Sequence, residues 1–247
     1  MRRLFRGVFS ITAASPVLFA AKQAVHKTAA SNLPSQANLS TSMQILLLMT
    51  VLTLLPALVV CLTPFLRLSI VLHFLRQALG TQTVPSNQVL VGLSLFLSLI
   101  VMQPVLSNMY DSAWKPLEEG TIGYQEALDA GSAPLRQFLL HFAREKDIQL
   151  FLEISKAPAP KTPNDLSLAI LGPAYILSEI KVAFQIGAVL FLPFLVIDIV
   201  VASVSLSVGM VQLPPVMISA PFKILLFVVV DGWTLLVGSL MKGLTQT

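Results

Sequence analysis

The sequence predicts an all-α membrane protein, built from broken helices and hairpins with a small charged helical insert. Three observations carry that prediction. Apolar residues make up 55% of the 247 residues and charged residues only 11%, with a mean hydropathy of +0.80. Soluble domains carry about a quarter charged residues, so this surface needs lipid or other helices to cover it. Long apolar runs recur at 43–62, 89–106, 182–208 and 216–240, each on the scale of a membrane-crossing helix. Between the second and third of these runs the composition turns polar and mixed in charge.

Taken in order, Arg2, Arg3 and Arg6 precede an apolar run over 7–21 that ends in Ala20 and Ala21. This is the layout of a cleaved signal peptide at 1–21, and Pro16 makes the run a poor anchor. Cleavage removes three of the net +4 charges, and with them the electrostatic basis for binding nucleic acid. Residues 22–42, rich in Ser, Ala and Gln, read as a flexible tail.

A first helical hairpin is expected over 43–106. Its first helix is bent or ended by Pro56 and Pro64. Arg67 and Arg76 frame a basic connector, and Gly80, Pro85 and Asn87 mark a turn before the second helix. The positive-inside rule places the acid-free connector in the cytoplasm. A polar helical insert then covers 107–165. Ser132 and Pro134 predict a helix start, and Leu135, Phe138, Leu139 and Phe142 line one face of that helix. Asp147 is expected to cap a second short helix carrying Phe151 and Leu152. Residues 166–247 read as a second hairpin with a C-terminal helix, its arms interrupted by Pro193 and Asp198, and by Pro221, Lys223 and Asp231.

These interruptions spoil a simple four-span topology. An aspartate at the centre of a lipid-exposed helix costs about 2.5–3.5 kcal/mol, so Asp198, Lys223 and Asp231 are expected as buried polar groups with partners. Glu179 and Lys181, two residues apart, point about 200° from each other on a helix. Each needs another segment, another chain or water. Catalytic chemistry is not expected. Cys61 stands alone, His26, His73 and His141 lack ligand spacing, and no nucleophile is set with a base, so no metal, cofactor or catalytic residue is assigned. Broken helices with midspan acids also fit an ion-coupled secondary membrane transporter, although no inverted repeat is visible.

The segment from Pro173 through Tyr175, Glu179, Lys181 and Phe184 to Gly187 resembles the signature of the FliP family. The likeness continues through Phe191, Pro193, Asp198 and Ser203, and recurs at Pro221–Lys223, at Val230–Trp233, and upstream at Leu75–Thr81, Pro85–Gln88 and Gly92–Phe96. It covers roughly residues 43–240. The resemblance implies a pore-forming subunit of the flagellar type III export gate, in the bacterial inner membrane at the flagellar basal body. It implies pentameric self-association into a helical pore complex with FliQ and FliR, beside FlhB and FlhA, passing unfolded flagellar proteins. By the same resemblance, Met210, Val211 and Gln212 form the pore constriction loop, where the family usually places consecutive methionines and this chain keeps only Met210. Phe138, Phe151, Glu179 and Lys181 are then inter-subunit contacts.

Overall fold

The computed structural model describes residues 41–156, 162, 165–209 and 214–245. The signal and tail expected over 1–40, most of the proline-rich linker and the loop residues Met210, Val211 and Gln212 lie outside the described residues. The chain divides into two compact units, 1–51 and 52–247, with the boundary inside helix α1 (Thr41–Cys61). Residues 41–51, the described part of the first unit, are helical and exposed throughout. A surface of Met, Ile, Leu and Val with no buried residue is the composition of a helix made for lipid or partner chains.

In the second unit the described residues form helices joined by turns and contain no strand. Helix α2 (Phe65–Ala78) occupies the segment expected as a basic connector. Leu68, Val71, Leu72 and Leu75 repeat at helical spacing and are at most 1% exposed, so the segment is a core helix. The cytoplasmic placement argued from a short loop therefore loses its ground. Helix α3 (Asn87–Met109) buries Leu90, Ser94, Leu97, Ser98, Val101 and Met102 along one face. It runs on through a π-turn (Tyr110–Trp114) and α4 (Lys115–Glu118), giving a continuous helical rod of 32 residues.

The insert contains α5 (Tyr124–Phe142) and α6 (Glu145–Ser155). Helix α5 begins at Tyr124, eight residues before the start expected at Ser132. Pro134 sits inside it, where its ring nitrogen cannot bond the carbonyl of Ala130. The Ser112 hydroxyl donates to that carbonyl at 3.4 Å, while Ser132 donates to the Asp129 carbonyl at 2.9 Å. The Ser112 hydroxyl thus takes up the carbonyl that Pro134 leaves free.

Helix α7 (Leu168–Ser207) spans 40 residues without a break, carrying both Pro173 and Pro193. Ser167 starts it by accepting from the Ala169 amide at 3.3 Å. Its length is about 60 Å at 1.5 Å per residue, twice the roughly 30 Å of a hydrocarbon core. Helix α8 (Pro215–Val229) returns alongside it, and α9 (Gly232–Thr245) leaves α8 at a bend of 65°. Gly209, at φ 81°, closes α7, and Pro215 opens α8 at its first turn, the usual glycine-out and proline-in punctuation of helix ends.

The main core joins α2, α3, α5, α7 and α9 around Leu68, Val71, Leu139, Leu171 and Tyr175. A second cluster joins α2, α7 and α8 through Leu75, Ala78, Phe194 and Phe227. Between them α2 comes close to α7. A Cβ on Gly187 would lie 2.4 Å from the Phe74 ring, which stands edge-on to Phe184 at 5.1 Å and Phe191 at 6.0 Å.

Candidate functional site

Three charge clusters hold α7 to its neighbours. In the first, Arg67 of α2 donates from Nε to Glu179 Oε2 at 2.8 Å and from Nη2 to Oε1. Both side chains are buried, Glu179 completely. The Arg67 guanidinium also lies 5.3 Å from the Phe142 ring centre, a cation–π contact. A forked guanidinium matches both oxygens of a carboxylate, so the pair neutralises itself inside an otherwise apolar core. Beside it the Tyr175 hydroxyl is buried without a protein partner among the described residues.

The second cluster uses Ser178 and Lys181, the α7 residues on either side of Glu179. Lys181 donates to Asp147 Oδ1, and Ser178 donates to Asp147 Oδ2 at 2.7 Å. The Arg144 amide in turn donates to Ser178 at 2.9 Å, and its guanidinium to Gln185 at 2.6 Å. Asp147 therefore does not cap α6 as expected. It sits inside the first turn of α6, and its buried carboxylate docks the insert on α7. Burial pushes its pKa up, but the hydrogen bonds from Lys181 and Ser178 and the charges of Lys181 and Arg144 outweigh it. The carboxyl is held below the usual aspartate range.

The third cluster ties the α7–α8 hairpin. Lys223, almost fully buried, donates to Asp198 Oδ2 at 2.6 Å, and Ser219 donates to Asp198 Oδ1. Asp198 keeps 30% of its side chain exposed. Asp231, expected as a third buried polar group, is exposed. It occupies the break between α8 and α9 at φ 51°, a left-handed conformation that short polar side chains tolerate.

The residues expected between subunits are placed unevenly. Phe138 is buried against Phe142 and Tyr175, with centroids 4.9 and 6.1 Å away. Glu179 is taken up by Arg67. Phe151 is half-buried, and Lys181 keeps 46% of its side chain exposed. Arg67 and Asp147, the partners of Glu179 and Lys181, were not singled out as site residues. The signal for them was only that an ion inside an apolar helix needs a counter-ion. Among the described residues no group of three His, Cys, Asp or Glu side chains could hold a metal.

Much of the apolar surface is uncovered. In the most apolar stretch of α7 only 11% is buried, and Val189, Leu192, Leu195, Val196 and Ile199 each stay more than half exposed. The FliP family model matches residues 48–240, a range that contains all three charge clusters and the hairpin loop. The chain belongs to the FliP family. It is similar to "Flagellar biosynthetic protein FliP" of Pectobacterium carotovorum, 50% identical over 82% of this chain and 78% of the relative. The protein of the same name from Bacillus subtilis is 47% identical, over 83% and 93%. That of Borreliella burgdorferi is 43% identical, over 95% of both chains. Membership in this family, with several long apolar helices, makes the chain a membrane protein of the flagellar apparatus. It leaves the secondary-transporter alternative without support.

Proposed function

We propose that this chain is a pore-forming subunit of the flagellar type III protein export gate, passing unfolded flagellar proteins across the bacterial inner membrane. The match to the FliP family over 48–240 carries this reading. The physics of α7 supports it. A helix about twice as long as a bilayer's hydrocarbon core, with its ionic groups already neutralised within the chain and its aliphatic face bare, is suited to packing beside copies of itself.

In this reading the chain assembles as a pentamer with FliQ and FliR, next to FlhB and FlhA. Met210, Val211 and Gln212, between Gly209 and Pro214, constrict the pore. Phe151 and Lys181, which keep exposed surface, meet the neighbouring copy directly. Phe138 and Glu179 act on that interface through the helices they hold in place. The chain acts as a conduit, without catalytic chemistry of its own.

The test is complementation in a strain lacking its own family member. Expression of this chain should restore secretion of flagellar proteins into the medium, and it should co-purify with small helical membrane subunits in an oligomer. A chain that inserts as a stable monomer and restores no secretion would sink the proposal.

A further inference from the structure

Arg76 lies in the last turn of α2 and has no part in the proposed conduit, yet both ends of the turn between α2 and α3 are bonded to it. Its carbonyl accepts from the Thr81 amide at 3.3 Å and from the Thr81 hydroxyl at 3.1 Å, while the Gly80 amide donates to the Gln77 carbonyl at 3.0 Å. This pattern of helix end needs a left-handed residue, and Gly80 supplies it at φ 76°. Across the turn, Arg76 Nη1 donates to the Pro85 carbonyl at 3.3 Å and to Asn87 Oδ1 at 2.5 Å. Gln82, Thr83 and Val84 between these ends are exposed, so the tip has no apolar anchor, and a loop without one opens easily. The arginine gives it a fixed shape.

That shape meets the start of α8. A Cβ on Gly80 would lie 3.4 Å from the Ala220 Cβ and 4.0 Å from Val216. Just before it, Ala78 and Leu79 are buried in the cluster that holds Phe194 of α7 and Phe227 of α8. Ser219, next to Ala220, donates to Asp198 of α7. The first turns of α8 are therefore held twice, by α7 through Asp198 and by the α2–α3 turn through Gly80.

We propose that Arg76 is a positioning residue of the conduit. It fixes the α2–α3 turn, the turn seats Gly80 against Ala220, and that contact sets where α8 starts. The contact stands on this geometry alone, while its consequence for a seal rests on the reading of 210–212 as the constriction.

R76A removes the guanidinium and keeps the main-chain helix cap. In reconstituted complexes of the full chain, amide protection of residues 81–87 and 216–220 should fall about tenfold, the worth of roughly one charge-assisted hydrogen bond. Dye leakage should rise, and protection of residues 65–75 and 223–229 should hold. R76K/N87D puts an ion pair in place of the arginine–amide pair and should restore both readouts. A220L leaves Arg76 untouched and should loosen 216–220 while 81–87 stay protected.

A covalent bond can also stand in for the arginine. The 3.4 Å separation at Gly80 and Ala220 is close to the roughly 3.5–4.5 Å between the Cβ atoms of a disulfide, and C61S removes the one native thiol. With G80C/A220C added and oxidised by copper phenanthroline, R76A should regain protection at 216–220 and lose its extra leakage, and reduction should reverse both. Unaltered protection at 216–220 in R76A and A220L would overturn the proposal. Equal loosening of 65–75 would overturn it too, because Arg76 then only completes α2. A disulfide that restores nothing would overturn the route through Gly80. Loosening of 216–220 with unchanged leakage would uphold the positioning and remove the constriction reading instead.

Discussion

The Glu179 carboxylate is wholly buried and bound by both prongs of the Arg67 guanidinium, from a helix 112 residues away in sequence. That contact lies inside one chain, and it changes what a mutation there should do. If Glu179 is read from the sequence as an inter-subunit contact, Glu179→Ala is expected to block oligomer assembly while leaving expression of the single chain intact. With the pair in place, the same change strands a buried cation, and breaking a buried pair from one side costs about 3–5 kcal/mol. E179A should therefore lower the thermal stability of the detergent-solubilised chain before any effect on assembly. The double variant R67M/E179L should recover most of the loss, since apolar replacements of a buried pair are often neutral. Equal instability of the single and double variants would contradict this account.

Asp147 makes the docking of α6 sensitive to acid. Its folded-state pKa is depressed, so its contribution is fully present above the unfolded value of about 3.9 and is lost as pH falls through the folded value. Protection of the amides in residues 145–155, relative to an unstructured chain at the same pH, should be high at neutral pH and fall below about pH 4. D147N should show low protection at both. A D147N chain as protected as the unaltered one at neutral pH would count against the docking role.

Hydropathy made α1, α3, α7 and α8 legible, because uninterrupted aliphatic runs leave few alternatives. Prolines misled. Pro134 reads as a helix start and Pro193 as an interruption, yet each removes only one backbone bond, and at Pro134 the Ser112 hydroxyl supplies a substitute donor. Helix α2 was legible in principle from the spacing of Leu68, Val71, Leu72 and Leu75, but flanking arginines made it look like a loop. The need of Glu179 and Lys181 for partners could be read locally. The identity of those partners could not, since helical periodicity says nothing about residues 112 or 34 positions away. Asp231 shows the opposite limit. A charge counted inside an apolar run turned out to mark a turn, and the backbone angle that permits it has no hydropathy signature.

Gly187 is where α2 and α7 come closest. Alanine there would place a methyl 2.4 Å from one atom of the Phe74 ring and 2.8 Å from its attachment carbon, so the ring cannot simply swing its far edge away. G187A should destabilise the chain by about 1–3 kcal/mol, the usual range for overpacking, seen as a lower midpoint in a thermal scan. F74L in the G187A background should restore part of it. A neutral G187A would mean that the two helices are free to separate.

The Asp198 cluster should matter less to the fold than the Arg67 pair, because its carboxylate is partly exposed. K223M removes one charge-assisted hydrogen bond, worth about 2 kcal/mol, and leaves Asp198 held by Ser219 alone. S219A should cost less than K223M. The readout is hydrogen exchange along α8, with K223M loosening residues 215–229 and leaving α2 protected. Loosening of α2 to the same degree would show that the hairpin is not an independent unit.

The proposed constriction offers the most direct test of pore formation. A seal that yields to a passing polypeptide needs flexible apolar side chains, and methionine, with its three rotatable bonds and soft sulfur, suits that task. This chain offers one such residue at the loop, Met210, flanked by a β-branched valine and an amide. M210A should therefore raise dye leakage through reconstituted complexes more than V211A does, and V211M/Q212M should lower it below that of the unaltered chain. Gly209 and Pro215 set the ends of the two helices, so changes between them should leave hydrogen exchange in α7 and α8 unaltered. If leakage is the same in all of these variants, the loop does not close the pore.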